Sequence, residues 1–148
     1  MSTASVVHIE EKDEAPVHLN VIGTLVLFWS LICVWRYLSF QGGMLEESMV
    51  AAWDLRPYYD LPNIIMATWA ISVWAGIIGA NLLMVRSKMS VPAFTAALLG
   101  LMATTAYQSL WVANPVSIYD TPFDFAVWVI MLASFLYTLR VYAVGILK

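Results

Sequence analysis

Four long apolar runs constrain this chain more than any other feature. They cover residues 19–40, 61–85, 91–113 and 122–147. Each reaches the length of about 20 residues that an α-helix needs to cross ~30 Å of hydrocarbon. Lipid offers backbone N–H and C=O groups no partner, so a spanning segment must satisfy them internally. A β-barrel would need alternating strands, and these runs are continuous. The sequence therefore predicts an all-α fold, an integral membrane four-helix bundle over residues 19–148. An acidic tail over residues 1–18 precedes it. Composition agrees: 61% of residues are hydrophobic and 11% charged, against about 25% charged in soluble domains. So little charge cannot solvate a globular surface, and one membrane domain accounts for the whole chain.

Helix starts carry chemical marks. Asp60 precedes Leu61-Pro62, Ser90 precedes Val91-Pro92, and Thr121 precedes Pro122. Proline suits the first helical turn, where its missing N–H would have had no partner. Thr121 with Asp124 reads as a capping-box variant. Ala113-Asn114-Pro115 stops the third helix. The first 16 residues are acidic rather than basic, which argues against a cleaved signal peptide.

Orientation follows from the bases. With four spans, both termini and the gap between the second and third helices share a side. That side holds Lys12, Arg86, Lys88, Arg140 and Lys148, and the other holds Arg36 and Arg56. The positive-inside rule then places the N- and C-termini in the cytoplasm of a multi-pass protein in a bacterial inner membrane. The tail, with Glu10, Glu11, Asp13 and Glu14, would be repelled by anionic lipid. It reads as a solvated segment or as a handle for a basic protein partner. The long first gap contains "MLEESMVAAWDLR". Helical spacing puts Leu45, Met49, Ala52, Trp53 and Arg56 on one face, with Glu47, Ala51 and Asp54 opposite. This predicts a short amphipathic helix lying on the outer membrane surface between helices 1 and 2. No internal repeat of the inverted-transporter kind is visible.

The second span carries a row of small residues, Thr68, Ser72, Gly76 and Ala80, with Gly79 beside it. The third carries Ala96, Gly100 and Thr104. Small side chains let backbones approach, and dispersion can then hold helices together where lipid removes the hydrophobic drive. The Arg86-Ser87-Lys88 gap is short, so these rows are expected to face each other across a tight hairpin. A homodimer face is the competing use.

The chemistry of catalysis is missing from the pattern. Arg36 and Arg140 lie near span ends, where each can snorkel toward water. No histidine lies mid-span for haem ligation. Cys33 is the lone cysteine, so thiol–disulfide chemistry has no pair. No metal, cofactor, catalytic residue or nucleic-acid contact is expected, and the chain reads as a non-enzyme. Ser30, Ser72, Asn81, Thr104, Thr105, Gln108 and Thr138 are polar residues expected to hydrogen-bond between helices. Near the outer interface gather Trp53, Asp54, Arg56, Tyr58, Tyr59, Asp60, Trp111, Tyr119 and Asp120. An aromatic belt explains the rings. The rings and acids together would also make an outer-face site for a small polyol or sugar.

The segments "PNIIMATWAISVWAGIIGANLLMVRSKMSVPAF" and "LLGLMATTAYQ" resemble a family of small bacterial four-helix inner-membrane proteins often labelled "sugar transporter". Trp69, Ala70, Ile71, Val73, Trp74, Gly76 and Gly79 match the family's central motif. Tyr137, Arg140, Gly145 and Leu147 resemble its closing pattern. The resemblance implies the four-helix fold and allows a sugar-like solute carrier. The first span departs from the family, with Arg36 where an acid is usual. The sequence-level expectation is thus an accessory or structural subunit of an inner-membrane complex, contacting lipid and a membrane-protein partner or further copies of itself. The alternative is a small-solute transporter or facilitator acting as an oligomer.

Overall fold

The computed structural model describes residues 17–44, 61–111 and 122–148. Its elements are α1 (Val17–Gln41), α2 (Asn63–Met84), α3 (Ser90–Trp111) and α4 (Pro122–Ala143). All four are long and apolar enough to cross a membrane, and the described residues contain no strand. The amphipathic segment between helices 1 and 2, the acidic tail through residue 16 and the Thr121 cap lie outside the described residues.

Neighbouring helices run antiparallel. Gly23 near the start of α1 meets Met84 at the end of α2, and Gly100 of α3 meets Thr68 and Ser72 of α2. The α2–α3 contact is the most extensive, and α2 also packs on α1, as α3 does on α4. Side chains close the ring between α1 and α4: Trp29 stacks on Phe123, and Arg36 pairs with Asp124.

Burial is inverted relative to a water-soluble bundle. Along α2 the buried positions Trp69, Ser72, Val73, Gly76, Gly79, Ala80 and Leu83 recur at helical steps. Along α3 they are Ser90, Phe94, Ala97, Gly100, Thr104 and Gln108, and along α4 Ser134, Thr138 and Val141. Small and hydroxylic residues fill much of this interior. Leu25, Phe28, Ile64, Ile71, Ile78, Leu99 and Leu136 face outward. In water an apolar coat of that extent would drive aggregation. In lipid it costs nothing, while the small interior lets helices close.

The hydroxyls meet their needs mostly within their own helix. Ser30 donates to the Val26 carbonyl at 2.8 Å, Ser134 to Ile130 at 2.6 Å and Thr138 to Ser134 at 2.8 Å. This corrects the expectation of bonding between helices, which Thr68 and Thr104 alone meet among the described pairs, Oγ1 to Oγ1 at 2.9 Å. A β-hydroxyl already lies beside the carbonyl one turn back, so the local bond requires no second helix to be ordered. Asn81 likewise donates to Ile77 at 2.8 Å.

Three helices end in the same way. After α1, Met44 N–H reaches Ser39 O and Gly43 N–H reaches Phe40 O, with Gly43 at φ 61°. After α2 the pairs are Ser87 to Leu82 and Arg86 to Leu83, with Arg86 at φ 60°. After α4 they are Ile146 to Val141 and Gly145 to Tyr142, with Gly145 at φ 80°. Each is a Schellman cap, which satisfies terminal carbonyls by placing one residue in the left-handed region. Gly145 therefore ends α4 at Ala143, four residues before the boundary read from hydropathy. Leu147 is buried not as helix but as part of a returning tail. Lys148 N–H donates to Arg86 O at 2.7 Å, and Lys88 N–H donates to Lys148 O at 3.0 Å. Arg86 Nε adds a bond to Ile146 O at 3.2 Å. In the turn before α3, Ser87 Oγ accepts from Met89 N–H at 3.2 Å, while Ser90, the first residue of α3, makes no side-chain hydrogen bond. The N-cap of α2 is Pro62, and Asp60 lies outside the described residues.

Candidate functional site: a polar cavity inside the bundle

The seam between α2 and α3 positions the residues of the candidate site. A Cβ on Gly100 would stand 2.6 Å from Thr68 O and 2.9 Å from Ser72 N. Only hydrogen fits there, and the two backbones touch. Beside this contact Thr68 Oγ1 lies 2.7 Å from Ile65 O, and Thr104 Oγ1 lies 2.9 Å from Gly100 O. The Thr68–Thr104 contact makes three hydroxyl contacts for two hydroxyl protons, so the pair shares them. Farther along, a Cβ on Gly79 would stand 3.1 Å from the Phe94 ring, and Ala80 is fully buried in the cluster around Phe94.

Two members of the predicted rows sit elsewhere. Gly76 does not face α3: a Cβ there would meet Met131 Cε of α4 at 3.5 Å and Ser30 Oγ of α1 at 3.7 Å. Ala96 is only half-buried, and Ala97 takes the inward position. A strict four-residue spacing drifts by about 40° per step around a helix of 3.6 residues per turn, which turns Gly76 from α3 toward α1 and α4.

Where Gly76 leaves space, a cavity of about 50 Å³ opens between all four helices. Trp29, Ser30, Cys33 and Arg36 line it from α1, and Trp69, Ser72, Val73 and Gly76 from α2. Leu101, Thr104 and Thr105 come from α3, and Phe123, Asp124, Val127 and Met131 from α4. One water needs roughly 10–15 Å³ of such space, so the cavity holds a few waters or one comparably small solute.

An ion pair forms one wall. Arg36 Nη1 donates to Asp124 Oδ1 at 3.0 Å, and the side chains are 6% and 16% exposed. The guanidinium carbon also lies 4.6 Å from the centre of the Phe123 ring. Phe123 in turn stacks on Trp29 at 5.4 Å. On the α2 side, Trp69 is held by Tyr37 edge-on at 5.0 Å and by Phe40 at 5.6 Å. The wall thus presents a cation, an anion and aromatic faces to one small space.

The pair overturns the expectation that Arg36 snorkels outward. Asp124 lies 88 residues away in sequence, in the first turn of α4, and supplies a closer counter-charge than the interface does. Asp124 had a sequence role as a helix-start residue, and that position does not conflict with the pairing. No local pattern joins the two. The available signal was one cation and one anion at matching depth in facing spans.

Of the proposed outer-face residues, Trp53, Asp54, Arg56, Tyr58, Tyr59, Asp60, Tyr119 and Asp120 lie outside the described residues. Trp111 is described: it is 69% exposed at the end of α3 and stacks on Tyr107 at 5.6 Å. It is not a wall of the cavity. Among the described residues no cluster of His, Cys, Asp and Glu could hold a metal ion. Compared with known protein families, curated proteins and solved structures, the chain matches none.

Proposed function

We propose that this chain binds a small polar solute between its helices and takes part in moving it across a membrane. The observation that carries this reading is the Arg36–Asp124 pair on the wall of an interior cavity. A charged pair in an apolar bundle is costly, and apolar residues of the same volume often hold a fold as well. Stability alone is a weak reason to keep such a pair, whereas a solute path is a common one. Guanidinium donors, a carboxylate acceptor and the Ser72, Thr104 and Thr105 hydroxyls suit a solute with both donor and acceptor groups. Four helices enclose little room, so the path would lie in an oligomer. In this reading the membrane is a bacterial inner membrane and both termini are cytoplasmic. A reporter active only in the cytoplasm should then work at Lys148 and fail at Gln41, and the reverse result would invert the orientation.

The test is uptake of labelled glycerol, urea, glycine and acetate into proteoliposomes. At least one should enter saturably, and Arg36→Gln or Asp124→Asn should abolish it. Uptake of none, together with no stabilisation of the purified protein by any, removes the reading.

A second reading, an accessory subunit of a membrane complex, has its own support. Only three residues of α4 are buried, and Phe125, Val129, Leu132, Leu136 and Leu139 are exposed along it. A partner helix would cover that surface as well as lipid does. Purification in mild detergent should then retain a stoichiometric partner. A lone chain that transports a solute speaks against it.

A further inference from the structure

At the opposite end of the bundle from Arg36, the first turn of α1 and the last turns of α4 leave a cleft of about 400 Å³. We propose that this cleft binds a phosphate group, carried by an anionic phospholipid of the surrounding leaflet.

Three polar side chains line it: His18 of α1, and Tyr137 and Arg140 of α4. Val141 at the end of α4 and the tail residues Val144 and Ile146 complete the lining with apolar side chains. A phospholipid likewise joins a charged phosphate to apolar chains. Depth agrees as well. Arg140 stands in the last turn of an apolar 22-residue helix, at the level where headgroups meet a spanning segment.

The electrostatics favour an anion. Among the described residues, Arg86, Lys88, Arg140 and Lys148 all lie at this end, and no Asp or Glu does. The Tyr137 hydroxyl supplies an independent observation. It is shut from solvent and has no hydrogen-bond partner, while its ring is held edge-on by His18 at 6.2 Å. A buried hydroxyl without a partner loses hydrogen bonding it would keep in water. A phosphate oxygen would accept from it once the side chains that shut it from solvent shift aside. Arg140 would supply the planar pair of donors that matches a phosphate edge. Basic pockets between spanning helices are known to take such headgroups.

The test uses the full chain, purified in lipid-free detergent, and reads bound lipid by native mass spectrometry. Phosphatidylglycerol and diacylglycerol with identical acyl chains are compared, with inorganic phosphate as the soluble arm. Phosphatidylglycerol should be retained more tightly than diacylglycerol. Arg140→Gln should weaken that retention about fivefold or more, and Tyr137→Phe should weaken it while leaving the fold intact. Lys88→Gln, which removes a charge from the same end but does not line the cleft, should weaken it clearly less than Arg140→Gln, and equal weakening by the two would overturn the cleft. If inorganic phosphate displaces the lipid, or protects the unliganded protein in an Arg140-dependent way, the phosphate site stands and its source includes soluble phosphate. Equal retention of diacylglycerol overturns the proposal, as does unchanged retention in both cleft variants. An Arg140→Gln protein that is already destabilised without lipid would show that the chain itself occupies the cleft, and would overturn it too.

Discussion

The two halves of this bundle are built on opposite principles. In the half that contains Arg86, Leu19, Ala80, Leu83 and Phe94 are each 0% exposed, and the returning tail seals them with Leu147. In the half that contains Arg36, the helices hold an ion pair, hydroxyls and a cavity. A short loop joins α2 to α3 in the first half, and the tail is bonded across that loop. The same chain thus makes a base with an apolar core, cleft at its rim between α1 and α4, and a second half whose interior is polar. The base fixes the helices so that the other half can tolerate empty space and buried charge. Gly100 stands between the two, where the backbones of α2 and α3 touch, and disturbing it should couple them.

The largest effect should therefore follow Gly100→Leu. Its side chain would begin 2.6 Å from a backbone oxygen, and no flexible neighbour can yield. Overpacking typically costs ~1–3 kcal/mol and at times more. Here relief requires separating α2 from α3, which gives up the main contact of the fold. The variant should fail to yield folded protein by size-exclusion chromatography in detergent. Gly76→Ala is the contrast: its new methyl meets Met131 Cε at 3.5 Å and Ser30 Oγ at 3.7 Å, ordinary contact distances. It should fold normally while narrowing the cavity. If Gly76→Ala is as damaging as Gly100→Leu, the two halves are not packed differently.

Next in size is the ion pair. Arg36→Met or Asp124→Leu alone removes one partner of a buried pair, a loss of up to roughly 3–5 kcal/mol. The double variant removes both charges and should recover most of that stability, as apolar replacements of buried pairs often do. A denaturation cycle in mixed micelles reads all four proteins. Under the proposed function the double variant is stable and inactive, which separates folding from solute handling. A double variant no better than the worse single one would show that the charges act separately.

How much of this was legible in the sequence differs between the halves as well. The four long apolar helices were legible because an uninterrupted apolar run of about 20 residues has few other ways to satisfy its backbone. Thr68, Ser72, Gly100 and Thr104 were legible because small residues at helical spacing have few other uses in lipid. Ala96 was misplaced for Ala97 because one residue turns a helix face by ~100°, and side-chain size cannot separate two alanines. Arg36–Asp124 was not legible, because a pair so far apart in sequence depends on which helices become neighbours. The tail was hidden by hydropathy. Leu147 is as apolar as a helical residue, and the apolar run continues through Gly145, whose value as a stop signal shows only in its left-handed backbone.

Removing residues 144–148 tests the base itself. The deletion loses the backbone bonds to Arg86 and Lys88 and uncovers the surface that Leu147 seals. Burying a leucine contributes about 1.5–3 kcal/mol, and each hydrogen bond about 0.5–1.5 kcal/mol. Lipid can take over part of the apolar share, so a net loss of about 2 kcal/mol is expected in the same denaturation assay. The loss should leave ligand-induced stabilisation at the Arg36 cavity unchanged. A truncated protein that unfolds as before, but no longer responds to solute, would mean that the tail serves the site rather than the base.

The smallest effect concerns Arg86, where two terms oppose each other. The residue sits at φ 60°, which costs a residue with a Cβ roughly 1–2 kcal/mol relative to glycine. Its guanidinium returns a bond to Ile146 O at 3.2 Å, a contribution of about 0.5–1.5 kcal/mol. Arg86→Ala keeps the backbone cost and loses the bond, so it should be less stable by about 1 kcal/mol. Arg86→Gly loses the same bond and also removes the backbone cost, at the expense of some added freedom in the unfolded chain. It should lie close to the parent protein. The difference between the two variants isolates the backbone term, because every side-chain contact of Arg86 is absent from both. Glycine should exceed alanine by about 1 kcal/mol in unfolding free energy. If alanine equals or exceeds glycine, the loop relaxes out of its left-handed conformation, and the tail alone holds the base together.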